Sequence, residues 1–290
     1  MHPLIEQLVA TGVVVTDGGM GTQLQARGLP VGACPDQWNL AEPQKVEEVG
    51  RAYVEAGSQI ILTNTFGSNR FILGRHGLAD QAAEINRAGV AAARRAAQGR
   101  ARVFGSIGPS GVMLLMGDVS ATQLRDAFAQ QAQALAEAGA DGLVVESMAD
   151  LDEARLAVEA ACQTGLPVVA SMVFGSHKAG FRTMMGNTPE QAAAALASAG
   201  AEVIGANCGQ GIEAFIPLCR RLRDATPLPL WIKPNAGLPE LVDGRTVYRQ
   251  TPEQFADKVP ALIDSGARFL GGCCGTTPEF IRAVVVRVRP

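Results

Sequence analysis

Three cysteines stand in sequence frames that favour chemistry over packing. Cys273 and Cys274 are adjacent inside GGCCGTTPEF, from Gly271 to Phe280, and Cys208 sits in GANCG. Neighbouring side chains on a flat strand point to opposite faces. A chain that aims both thiols at one target must therefore bend, and the flanking glycines permit the bend. Three thiolates brought together form a soft ligand set suited to zinc. Three protein ligands also leave a fourth position open, as catalytic sites do. Zinc (Zn2+) on three thiolates is electron-rich and poor at activating water. It still lowers the pKa of an incoming thiol and leaves charge on sulfur for attack, which points towards S-alkylation. A vicinal disulfide and plain packing are the alternatives for the adjacent pair. Cys34, Cys162 and Cys219 fall in a loop and in helical stretches, and packing is the reading for Cys162 and Cys219. His2, His76 and His177 are read as solvent-facing, so no His–carboxylate site is expected.

The elements that must position these thiols are legible as eight short apolar runs. GVVVTDGG ends near Asp17, SQIILTNTFG near Asn64, ARVFGSIGP near Gly108 and DGLVVES near Glu146. LPVVASMVF ends near Met172, AEVIGANCG near Cys208, LPLWIKPNAG near Asn235 and ARFLGGCCG near Cys274. Near-continuous apolar runs of this length suit parallel strands buried on both faces. Between them lie helical patterns such as PQKVEEVGRAYVEAG, TPEQAAAALASAGA and TPEQFADKVPALIDSGA. TPEQ at Thr188 and Thr251, and TPEF at Thr277, each read as a Thr N-cap with Pro at the first helical position and Glu in the first turn. Eight strand–helix units predict an α/β fold, a single (β/α)8 TIM barrel over residues 1–290, with a doubly wound sheet as the rival. No GxGxxG follows the first strand. Barrel chemistry lies at the C-terminal strand ends. Asp17, Gly18, Gly19, Glu146, Asn207 and the stretch from Lys233 to Gly237 fall there with the three cysteines.

The bulk numbers narrow the class. Of 290 residues, 47% are hydrophobic and 18% charged, which supplies a core and argues against disorder. A formal net charge of −3 gives no support to a nucleic-acid or membrane-surface role. MHPLIEQLVATG lacks the basic n-region of a signal peptide, and no stretch reaches the length of a membrane span. A cytoplasmic protein with reduced thiols is expected.

The sequence resembles the homocysteine S-methyltransferase family. The matching pieces run in order along almost the whole chain: TDGGMGTQLQARG, TNTFGSNR, GPSG, VES, RTMMGNTPEQ, GANCG and GGCCGTTPEF. The resemblance implies a (β/α)8 barrel with zinc on Cys208, Cys273 and Cys274. It places the amino-acid end of homocysteine near Asp17, the Gly18–Gly19 backbone and Glu146, and Asn207 joins this substrate-binding set. Carboxylates suit an ammonium, and glycine N–H groups suit a carboxylate. Taken alone, Asp17 also fits a turn role and Glu146 a helix N-terminal charge. Betaine-using relatives cage the trimethylammonium with aromatics; Gly67 and Ser147 stand here where tyrosines are expected, so betaine is disfavoured. GPSG and PNAGLP are similar to the homocysteine module of cobalamin-dependent methionine synthase, but the chain has no room for folate or cobalamin modules. The donor is then a small sulfonium, S-methylmethionine or S-adenosylmethionine, or a separate methyl-corrinoid protein that docks over the mouth. A non-catalytic zinc–thiolate barrel stays open, as does a barrel of other chemistry. The stretch HKAGFRTMMGNTPE is read either as a lid or as an ordinary connection.

Overall fold

The computed structural model describes residues 1–177, 180–242 and 245–289. Eight strands form one parallel sheet: β1 (Val14–Val15), β2 (Ile60–Leu62), β3 (Arg102–Ile107), β4 (Gly142–Met148), β5 (Val168–Met172), β6 (Val203–Gly211), β7 (Leu230–Asn235) and β8 (Ala267–Leu270). Each pairs with its sequence neighbour from β2 to β8, and β8 pairs with β1. A parallel bridge between Thr16 and Ile60 closes the ring. The fold is therefore the TIM barrel, with helices packed outside.

Apolar side chains fill the barrel, so it is a packed core and not a pore. Phe104, Trp231 and Phe269 stack across one layer, with ring centroids 6.4 and 5.6 Å apart, and Ile5 of the first helix (Pro3–Ala10) belongs to the same cluster. Gly142 makes room for this layer, since a Cβ there would lie 2.9 Å from the Phe104 ring.

Several expected boundaries shift. β8 stops at Leu270, so Cys273 and Cys274 lie in a turn beyond the strand and not on its end. β4 and β6 run past Glu146 and Cys208. The helix expected over TPEQFADKVPALIDSGA is two helices, Pro252–Ala256 and Val259–Asp264, the second with Pro260 in its first turn. Pro260 has no N–H to continue the first helix. Thr188 and Thr251 form capping boxes with Gln191 and Gln254. Thr277 instead donates its hydroxyl to the Glu279 carboxylate. His2 is half-buried and not solvent-facing, because its Nδ1 accepts from Leu4 N and caps the first helix. His76 is exposed, whereas the His177 side chain lies outside the described residues. After β5 the chain forms a hairpin, Gly175–His177 with Gly180–Arg182. Lys178 and Ala179 of the stretch HKAGFRTMMGNTPE, read as a lid or an ordinary connection, lie outside the described residues.

Candidate metal centre

Backbone hydrogen bonds from neighbouring strands hold the cysteine turn. Gly271 N donates to Ile232 O (3.2 Å), Gly272 N to Asp17 O (3.0 Å) and Cys273 N to Pro234 O (2.7 Å), while Cys274 O accepts from Ala236 N (3.0 Å). The glycines are needed for contact. A Cβ on Gly272 would lie 2.3 Å from Thr276 Oγ1, and one on Gly19 would lie 2.6 Å from Cys273 O. Tyr53, fully buried, ties the β1 loop to the turn, donating to Thr276 O at 3.0 Å.

Cys208 meets this turn from β6. Its φ of +62° lies in the left-handed region, a strained conformation for a non-glycine residue and one that clusters at functional sites. The sulfurs of Cys208, Cys273 and Cys274 all lie within 4.8 Å of one another, and Cys208 Sγ is 3.8 Å from Cys274 Sγ. A tetrahedral ion with Zn–S of about 2.3 Å requires thiolates about 3.8 Å apart, so the trio fits zinc. All six cysteines are free in this structure. Hydrogen bonds from the Cys273 and Cys274 thiols pull Cys208 down to about 3. The same bonds raise Cys273, and they raise Cys274 to about 11.

Two neighbours of the trio had no role assigned from sequence. Asn235 lies within hydrogen-bond reach of Cys208, yet its buried Oδ1 has no partner; an orphan oxygen at a three-thiol site suits a fourth ligand. Tyr248 stands beside Cys274, and burial together with that thiol raises its phenol pKa. A Cβ on Gly275, at φ +80°, would enter the Tyr248 ring.

Asn207 is buried and its amide is fully engaged. Oδ1 accepts from Ser147 N (2.9 Å) and Ser171 Oγ (2.7 Å); Nδ2 donates to Ser147 Oγ (2.6 Å) and Cys273 Sγ (3.7 Å). It buttresses the thiols and the strained Ser147, whose φ is +59°.

A cavity of about 420 Å3 opens onto the trio. Asp17, Gly18, Gly19, Glu146 and Lys233 line it together with the three cysteines. Asp17 Oδ2 accepts from Leu62 N (2.7 Å) and Oδ1 from Lys233 Nζ (2.5 Å). Glu146 Oε1 accepts from Ser106 Oγ at 2.6 Å. Burial pushes the Glu146 carboxyl up, with Lys233 working against it. Burial opposes the charge on Lys233, but Asp17 and Glu146 more than offset this and its pKa is raised. Among the described residues, Phe66 is the one aromatic side chain lining the cavity. Gly67 also lines it, held through its N–H by the buried carboxylate of Asp36 at 3.0 Å.

A parallel barrel whose mouth gathers three thiols beside an acidic–basic pocket defines a class of metal–thiolate barrel proteins. Residues 14–288 match the family model of homocysteine S-methyltransferases, and the chain belongs to that family. It is 33% identical to methionine synthase of Mycobacterium leprae over 306 residues and 34% identical to that of Mycobacterium tuberculosis over 295. These alignments cover 98% and 95% of this chain but 25% and 24% of the relatives, so the chain spans about a quarter of their length. The crystal structure of the metallated form of the homocysteine methyltransferase MmuM from Escherichia coli superposes with a TM-score of 0.82 at 26% identity, covering 99% of this chain and 100% of that one. Among the described residues, no helix is long and apolar enough to cross a membrane.

Proposed function

We propose that this chain transfers a methyl group to the thiol of homocysteine, forming methionine, with zinc held by Cys208, Cys273 and Cys274. The observation that carries the reading is the thiol trio opening into the cavity that also holds Glu146, Asp17 and Lys233. Zinc on three thiolates supplies a Lewis acid that lowers the pKa of an incoming thiol. The chain's own residues do the rest. Glu146 takes the substrate ammonium, and Asp17, with a lone pair left on each oxygen, stands beside it. Gly18 and Gly19 let the substrate approach the β1 backbone. Asn207 holds Cys273 in place and does not touch the substrate. The thiol proton goes to solvent, the new S–CH3 bond forms as the donor–CH3 bond breaks, and no general acid is required. The site contributes positioning and thiolate activation.

The methyl donor is not betaine in this reading, because Phe66 alone cannot build an aromatic cage. A specific observation favours a methyl group carried by a separate protein, such as a methyl-corrinoid protein, over a free sulfonium. The loops that follow β2, β3, β5 and β7 expose Phe66, Leu115, Met116, Met184, Leu238 and Leu241, and apolar side chains exposed at one end of a barrel suit an interaction surface. The test is a donor screen on zinc-loaded protein with homocysteine, reading methionine by mass spectrometry. S-methylmethionine, S-adenosylmethionine, betaine and methylcobalamin are supplied in turn. Turnover with a sulfonium would remove the need for a carrier, and failure to bind homocysteine at all would sink the assignment. Glu146→Gln should raise KM for homocysteine about 10–100-fold, the loss of one charge-assisted hydrogen bond.

A further inference from the structure

We propose that Lys233 receives the α-carboxylate of the thiol substrate and thereby restricts the site to amino-acid thiols. The inference rests on the homocysteine reading above. Lys233 interrupts the apolar run LPLWIKPN at the C-terminal half of β7, and its side chain is 3% exposed. A lysine ammonium is strongly hydrated and rarely buried this far without compensation. Part of the compensation is Asp17 Oδ1 at 2.5 Å. An ammonium carries three donors, and among the described residues Asp17 is its one hydrogen-bond partner. Two N–H groups remain on a side chain that lines the cavity.

The charges around the cavity say what those donors are for. Asp17, Asp36 and Glu146 line it as carboxylates, and Cys208, Cys273 and Cys274 as thiols. Lys233 is the one cation among the described lining residues. An α-amino acid brings an ammonium, which the carboxylates attract, and a carboxylate, which Asp17, Asp36 and Glu146 repel and for which Lys233 is the one cationic partner among the described lining residues. Glu146 and Lys233 are close enough to feel each other's charge. The two therefore form a matched anion–cation pair for the two ends of a zwitterion. Asp17, anchored by Leu62 N, fixes the lysine so that little side-chain entropy is lost on binding. A thiol without the carboxylate would leave the free lysine donors unpaired, and sites built this way discriminate strongly.

The experiment is calorimetric binding of two ligands to zinc-loaded protein: L-homocysteine and 3-amino-1-propanethiol, which keeps the thiol and ammonium but lacks the carboxylate. Wild type should prefer homocysteine. Lys233→Met should weaken homocysteine about 10–100-fold, the usual cost of a lost charge-assisted hydrogen bond, and leave 3-amino-1-propanethiol nearly unchanged. Lys233→Arg should restore part of the preference. Equal loss for both ligands would mean that Lys233 acts only by holding Asp17, and would overturn the proposal. If Lys233→Met does not fold, wild type decides: equal affinity for the two thiols overturns it, and a clear preference for homocysteine supports it. Wild type binding neither thiol would instead refute the homocysteine reading itself.

Discussion

Replacing Asn207 by alanine tests whether the thiol trio is held by its surroundings or by the metal alone. The side chain is fully buried and makes four hydrogen bonds. Alanine leaves the buried Ser171 Oγ and the half-buried Ser147 N without an acceptor. The stranded buried group costs about 1–3 kcal/mol and the half-buried one, which faces the cavity, less, a loss of about 1–4 kcal/mol. An unfolding entropy of about 2.1 cal/mol/K per residue amounts to roughly 0.6 kcal/mol/K for this chain, so the melting temperature should fall by about 2–7 °C. The bond to Cys273 is lost too, and Ser147 loses the contacts that hold its left-handed backbone. Residues that orient metal ligands typically change affinity by about 10–100-fold when removed. The assays are a thermal melt of the apo protein and zinc competition against a chelator of known affinity. A melt within about 1 °C of wild type, together with unchanged zinc affinity, would refute the argument that Asn207 organises the centre.

Four further outcomes are expected. Cys208→Ala, Cys273→Ala and Cys274→Ala should each abolish stoichiometric zinc, read by elemental analysis, while Cys162→Ala and Cys219→Ala should retain it. In Gly271→Ala the new Cβ would lie 2.1 Å from Thr16 Oγ1 and 2.4 Å from Asp17 O; backbone cannot yield cheaply, so a destabilisation of about 1–3 kcal/mol or more and weakened zinc binding should follow. Gly21→Ala, in a helix with nothing within 4 Å, should be neutral or stabilising by up to about 1 kcal/mol in the same denaturation assay. Glu190 is held down to about 2 by hydrogen bonds from Arg221, a depressed carboxylate whose stabilisation is complete above about pH 4.5 and fades as pH falls towards 2. The melting difference between wild type and Arg221→Gln should therefore shrink from pH 6 to pH 3; a difference that grew on acidification would contradict the sign.

The parts of this protein readable from sequence alone are those set by local pattern. Eight apolar runs separated by capped helices dictate a parallel barrel, because strands buried on both faces and joined by helices have few other arrangements. The residue types at the run ends then marked Cys208, Cys273 and Cys274, and the structure brings those three sulfurs together. What sequence could not settle depends on contacts between distant segments. Cys273 and Cys274 read as a strand end, yet Gly271 packs against Thr16 and Asp17 just beyond β1, Gly272 N bonds Asp17 O, and the strand stops at Leu270. Asn207 read as a member of the substrate-binding set, and nothing in its local pattern showed that its amide would bond Ser147, Ser171 and Cys273 on three other segments. Lys233 was visible as a polar residue at a strand end and nothing more. Its partner Asp17 is 216 positions away, and no local signal says that a lysine and an aspartate will share a buried pair. The orphan oxygen of Asn235 and the placement of Tyr248 over Gly275 are likewise products of barrel closure. Periodicity fixes which face of an element is buried; only the closed ring decides which polar side chains meet inside it.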